Sequence, residues 1–436
     1  MKKLGILAVL TLILTGFVYC NNGTDEGKAN QSVNEKEVGR SVVSPSNVDA
    51  VWQFAMTPID DSEWAAGLNG KNGLTRVSLR DIKLNREGGS VSSFPSDYKF
   101  SNQDVKAFKW RQSDNETNAW RPQGIAGIRL ENPQYSMVAV TWYNYDGSGK
   151  KGVRISFVDV TPGSDKRFHY RHVLLVERDG DDFKPVDNGL HAGGLAYSKG
   201  FLFVPDTHNG IRVFDTRNIY MGVEKDDTKK KYGFKGEKAY AFDYTYILPQ
   251  VYNYSTLYST LITTGMAKAS GNQPKFSYLS IDWSDNNERK LLTGSYMSNG
   301  NMDNGLSPSM FLWKLSTEPG KLVPEKPRNL GIECGLERYR WIQGAALFGS
   351  TLYISRSNGE GVRKHSVSGN WSSDNYSVDK VQTRVLPIVK EKSDIGFEDL
   401  HISLSSDILW GLSEGSRTGK PEFTGDRIVF WIKKVK

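Results

Sequence analysis

Five polar residues, Gln123, His191, Gln343 and the adjacent Glu398 and Asp399, each stand at the start of a similar stretch of this chain. A neutral imidazole and carboxylates together can hold a divalent cation, and an oxygen-rich set favours Ca²⁺ or Mg²⁺ over Zn²⁺. Glu398, Asp399 and His191 are therefore candidate metal ligands. His191 and Glu398 could also form a general base pair, because a carboxylate orients an imidazole and raises its basicity. The glutamines would add hydrogen-bonding groups for a ligand, and His208, in the turn Asp206-Thr207-His208-Asn209-Gly210, could line the same mouth. The first and last of these residues are 276 positions apart, so only a fold that gathers stretch after stretch around one point can unite them.

The stretches themselves predict such a fold. Gln123-Gly124-Ile125-Ala126-Gly127-Ile128 leads into Met137–Trp142 and Val153–Val160. His191-Ala192-Gly193-Gly194-Leu195-Ala196-Tyr197 leads into Phe201–Asp206 and, through Asn209-Gly210, into Ile211–Asp215. Gln343-Gly344-Ala345-Ala346-Leu347 precedes Thr351–Arg356 and Val362–Ser366; Phe397–Ile402 precedes Asp407–Leu412 and Arg427–Ile432. A fifth unit runs through Phe276–Asp282, Lys290–Tyr296 and Met310–Leu315. Each is a meander of alternating apolar strands too flat to bury its own faces, and such units are stable when set radially about an axis. From Gln123 to Glu398 the units recur about every 69 residues. The expected fold is all-β, a β-propeller over residues 51–436 with five blades, six also fitting the length. The last unit lacks a fourth strand, so pairing of the N- and C-terminal strands should close the ring, with Val51-Trp52-Gln53-Phe54 as the expected partner.

Composition agrees. Trp 11, Tyr 20 and Phe 19, with Gly 43 and Pro 16 dispersed among them, favour many short strands. A net charge of +7 with no basic stripe gives no ground for nucleic-acid binding, and Lys229-Lys230-Lys231 beside Asp226-Asp227 reads as a solvated loop. Asp159, Asp206 and Asp215 end strands, where aspartate closes turns through its own side chain. Arg167–His172 is expected as a solvated outer edge. The tyrosines of Tyr240–Tyr246 and Tyr252–Tyr254 are expected to cover an outer strand, the alternative being a sugar-stacking rim loop. No Ser-His-Asp order, phosphate loop or nucleophile elbow is present.

The first 20 residues, with Lys2, Lys3 and an apolar run from Leu4 to Val18, read as an export signal, and residues 21–50 as a disordered polar linker. Cys20 stands where lipoprotein signals carry the acylated cysteine; cleavage after Cys20 and free secretion is the alternative. Location is thus expected to be extracytoplasmic, with membrane contact only through a lipid anchor. Cys334 is the sole cysteine of the body, so there is no disulfide framework.

The string from Arg171 to Ile219, together with Trp120-Arg121-Pro122-Gln123-Gly124 and Gln343-Gly344-Ala345, resembles a group of exported bacterial proteins common in actinobacteria. The resemblance implies export and a propeller-like fold. More loosely, the blade pattern is similar to the gluconolactonase and paraoxonase class, which implies a divalent metal in the central channel; no Asn stands among the equivalent positions here. Two functions follow as expectations. One is a secreted or surface-tethered propeller that binds a carbohydrate, peptide or protein at the channel mouth without covalent chemistry. The other is a metal-dependent hydrolase or lactonase.

Overall fold

The computed structural model describes residues 56–92, 98–100, 105–129, 136–145, 151–186, 190–207, 209–256, 276–282, 289–296, 310–318, 320–321, 328–329, 341–349, 351–357, 361–366, 389–391, 395–403, 408–416 and 427–433. The export signal, Cys20, the linker, His208 and Cys334 lie outside them. No helix among the described residues is long and apolar enough to cross a membrane.

All five expected units form antiparallel meanders. Meander I is Trp120–Arg129, Ser136–Asn144, Val153–Asp159 and His169–Asp179. Meander II is Ala196–Ser198, Phe201–Asp206, Gly210–Asp215 and Ile247–Thr256. Meander III is Tyr278–Asp282, Lys290–Gly294, Met310–Lys314 and Arg328–Asn329. Meander IV is Ile342–Phe348, Thr351–Arg356 and Gly361–Ser366. Meander V is Ile395–Ser403, Ile408–Ser416 and Ile428–Lys433, completed by Val105–Lys109.

The inner strands pack on one another in the order I, II, III, IV, V and back to I, which makes the fold a β-propeller. Because successive strand residues point to opposite faces, each inner strand feeds two inter-meander layers. Ala126 packs with Leu195, Leu202 and Phe214 between meanders I and II, whereas its neighbour Ile125 joins Trp142, Trp410 and Trp431 between V and I. In the same way Leu279 faces meander II and Tyr278 faces meander IV. Both faces of a meander are thereby buried, which is why strands such as Val153–Asp159 are covered along their whole length.

Val105–Lys109, from the N-terminal side of the chain, closes the ring against Ile428–Lys433, while the first described strand, Met56–Asp60, pairs instead with Ile247–Thr256. The particular strand differs: it is Val105–Lys109, and Val51–Phe54 falls outside the described residues. The pairing sets Ala107 and Phe108 opposite Phe430 and Val429, and Phe108 then lies on Trp110 and Phe168 with ring centroids 5.3 and 5.1 Å away.

Candidate functional site: the channel mouth

Three of the five inner strands begin with a β-bulge, and the bulged residues are those singled out by type and position. Between Pro122 and Ile125 the register slips at Gln123-Gly124, between Ile342 and Gly344 at Gln343, and between Phe397 and Leu400 at Glu398-Asp399. A bulge re-aims a side chain and ends regular pairing, so here the strands hand their polar groups to their neighbours. Asp399 shows this best. Its Oδ2 accepts the backbone N–H of Ile125 at 3.1 Å and of Leu195 at 3.0 Å, tying meander V to meanders I and II. Burial pushes its carboxyl well above the usual carboxylate range, against the pull of those N–H donors. Among the described residues its Oδ1 has no hydrogen-bond partner. Hydroxyls make similar links: Thr141 Oγ1 donates to the Ala192 carbonyl at 2.9 Å, Ser280 Oγ to the Ala345 carbonyl at 2.7 Å, and Ser355 Oγ to the Glu398 carbonyl.

Close backbone approach makes these links feasible. A Cβ on Gly124 would lie 2.3 Å from the Gly194 carbonyl carbon, and one on Gly344 would lie 2.5 Å from the Asp399 Cα. Glycine at the blade starts is therefore a steric demand of the ring.

Among the described residues no group of three His, Cys, Asp or Glu side chains is placed to hold a metal ion. Glu398 and Asp399 are buried, and Asp399 is engaged with backbone N–H groups. His191 is exposed at the rim, its ring stacked on Tyr143 at 4.7 Å between centroids and 26° between planes. Gln123 is buried and its Nε2 donates to the Pro122 carbonyl at 2.9 Å, while Gln343 is half-buried. As placed, Glu398, Asp399 and His191 do not gather as a set that fits a divalent cation.

The residues that build the rim around His191 escaped the sequence reading. Arg121 and Tyr143 face each other in register two positions before the first bulge, and Glu414 lies near the end of the second strand of meander V at the same mouth. The Glu414 carboxylate is buried and lies 3.2 Å from Arg121 Nη1 and 3.4 Å from the Tyr143 hydroxyl, both donating to it. The Arg121 guanidinium sits 3.7 Å from the centre of the Tyr145 ring, and Tyr145 is 53% exposed. Arg427 supports Glu414 from behind, its Nε donating to the Glu414 carbonyl at 2.9 Å; burial lowers its own pKa to about 10.

A second polar cluster lies in the outer strands of meander I. Trp142 Nε1 donates to Ser156 Oγ at 2.8 Å, and Ser156 Oγ lies 2.8 Å from His172 Nδ1. His172 Nε2 lies 3.1 Å from Asp114 Oδ1, and a neutral ring that carries its proton towards that carboxylate leaves Nδ1 to accept from Ser156 Oγ. Asp114 also takes Arg154 Nη2 at 3.2 Å, Arg86 Nη1 at 2.9 Å and the Tyr170 hydroxyl at 2.6 Å. Burial pushes Asp114 up, but His172, Arg154 and Arg86 outweigh it and hold the carboxyl far below its usual range. Burial and the Arg154 charge lower His172 to about 3, so its imidazole is neutral. Serine, histidine and aspartate thus connect as in a hydrolytic triad although no sequence motif announces it. Ser156 is wholly buried beneath Trp142, so no substrate reaches it, and the cluster is framework.

That cluster also corrects the expected outer edge at Arg167–His172. His169–Asp179 is paired on both sides, antiparallel to Val153–Asp159 and parallel to Ile247–Thr256, and Tyr170 and His172 are buried. The tyrosines do not form a sugar-stacking loop: Tyr246, Tyr252 and Tyr254 are core residues, and Tyr244 packs edge-on to Trp120 at 6.5 Å. The aspartates close turns as expected, with Asp159 accepting from Thr161 N at 2.8 Å and Ser164 Oγ at 2.7 Å, and Asp215 from Arg217 N at 2.9 Å.

No family model matches the chain, and no curated protein does. Solved structures show a distant likeness. A levansucrase variant from B. megaterium aligns at 9% identity and TM-score 0.39 over 84% of this chain and 95% of its own. A GH43_1 enzyme from Xanthomonas citri aligns at 8% and 0.35 over 72% and 88%, and the Swd1 β-propeller domain of Myceliophthora thermophila at 10% and 0.32 over 80% and 100%. Likeness at this level carries nothing about activity.

Proposed function

We propose that the protein is an exported β-propeller whose channel mouth binds a carbohydrate without covalent chemistry. One observation carries the reading: two exposed flat rings, Tyr145 and His191, flank the partly exposed guanidinium of Arg121, which the buried Glu414 carboxylate fixes from behind. Sugars present apolar C–H faces that stack on aromatic rings and hydroxyls that hydrogen-bond to charged side chains, and this rim offers both. Prior fixing of Arg121 by Glu414 reduces the ordering cost of binding. The leader, Cys20 and the resemblance to exported bacterial proteins support delivery outside the cytoplasm, free or tethered by a lipid. A glycan array followed by calorimetry tests the reading. A hit whose affinity falls at least about tenfold in Tyr145→Ala and in Arg121→Met, the loss of one stacking or charge-assisted contact, supports it. An array without a hit, or affinity unchanged in both variants, refutes it.

A further inference from the structure

A cavity of about 370 Å³ opens at the end of meander II opposite the channel mouth, where Phe201 begins the second strand and Asp215 ends the third. It is lined on one side by Ser62 and Ala66 and by Arg76, and on the other by Asp215, Arg217, Asn218 and Tyr252. Its volume falls in the range of small-molecule sites.

The polar groups lining it are nearly all donors left over from the fold. Asn218 is 7% exposed, yet among the described residues its carboxamide makes no hydrogen bond; only its backbone N–H is engaged, with the Asp215 carbonyl at 2.9 Å. Arg217 grips Asp215 through Nε and Nη2, both at 2.8 Å, which leaves Nη1 uncommitted. Arg76 spends Nη2 on the Ala66 carbonyl at 2.9 Å and the Tyr220 hydroxyl at 3.2 Å, and makes no ion pair among the described residues. The Tyr252 hydroxyl likewise has no hydrogen bond among them. Two guanidiniums against one carboxylate leave the lining with one positive charge in excess. Buried polar groups in native proteins have partners, and a nearly buried amide facing a cavity beside an unpaired guanidinium is explained most simply by a ligand that accepts.

We propose that this cavity binds a small oxyanion, a phosphate or carboxylate group, held between Arg76 and Arg217 with Asn218 and Tyr252 donating to the remaining oxygens. The site is independent of the channel mouth: neither Tyr145 nor Glu414 lines it.

The test titrates the full exported protein with inorganic phosphate and, separately, with acetate, up to ~50 mM, following backbone amide shifts or calorimetry. Saturable binding of either ion is expected, and which one saturates identifies the oxyanion. Asn218→Asp, of the same shape, puts a like charge into the cavity; Arg76→Gln, at an exposed position, removes one positive charge and keeps a donor for the Ala66 carbonyl. Each should weaken binding at least about fivefold while near-ultraviolet circular dichroism stays that of the wild type. No saturable binding of either ion by the wild type overturns the proposal, as does a smaller loss in Arg76→Gln, the variant that does not disturb a buried position.

Discussion

Replacing Asp114 by asparagine preserves shape and removes one charge, so it isolates what holds the outer strands of meander I together. Four side chains converge on this carboxylate: Arg86, Arg154, His172 and Tyr170. Arg154 is the decisive partner, because its side chain is only 7% exposed and lies over the faces of Trp120 and Trp142 at 4.5 and 4.9 Å. In Asp114→Asn that guanidinium remains buried without a counter-charge, and the amide cannot accept from all the donors the carboxylate served. Breaking a buried, hydrogen-bonded ion pair from one side costs about 3–5 kcal/mol. With a urea m-value of ~3 kcal/mol/M the midpoint should fall by roughly 1–1.7 M at unchanged slope. If the cost arises from the stranded Arg154, Asp114→Asn should be milder in an Arg154→Met background, with a coupling of at least ~1 kcal/mol. Equilibrium urea unfolding followed by tryptophan fluorescence measures both. A loss under about 1 kcal/mol, or strict additivity with Arg154→Met, would refute the reasoning.

Other expectations follow from the ring and its buried imidazoles. Gly124→Ala places a methyl group 2.3 Å from the Gly194 backbone, where no side chain can move aside, and should lower thermal stability by several kcal/mol or abolish soluble expression; a melting curve like that of the wild type would contradict the close approach. Thr141→Val removes the hydroxyl that accepts from Gly124 N–H at 2.8 Å and donates to the Ala192 carbonyl, and should cost about 1–3 kcal/mol in the same urea assay. Burial lowers His401 to about 4, whereas in the unfolded chain it titrates near 6.5. The native state therefore binds fewer protons below that value, and the stability His401 contributes is present above pH ~6.5 and lost as pH falls towards 4. Asp399, pushed up by burial, acts in the opposite sense, so the test is a difference: His401→Gln should lose about 2 kcal/mol less than the wild type between pH 7 and 5. Identical pH dependence in the two proteins would contradict it.

The ring was legible in the sequence because its causes are local and repeated. A small step, an alternating strand and a tight turn recur at Gln123, His191, Phe276, Gln343 and Phe397, and every one of them became a meander. What the polar residues at these starts would do was not legible. A bulge shifts the alternation by one, so Glu398 and Asp399 cannot be assigned a direction by counting, and Asp399 turned inward to amides of two other meanders. His191 precedes Ala192, which has a left-handed φ of 51°, and that local turn sets the imidazole against Tyr143 rather than in the channel. The Asp114 cluster was hidden for another reason. Its contacts join residues 14 to 58 positions apart and form only when the outer strands pair. Arg121 and Glu414 escaped because each is unremarkable in its own strand, and they meet only when the first and last meanders close the ring, 293 positions apart in the chain.

The most direct test of the central claim is hydrogen–deuterium exchange on the full-length protein, with and without the oligosaccharide that binds best on an array. The account predicts protection confined to the mouth, at residues 120–124, 143–145, 191–195 and 413–415, and its absence in Tyr145→Ala at the same sugar concentration. Protection elsewhere on the propeller with the mouth unchanged would contradict it.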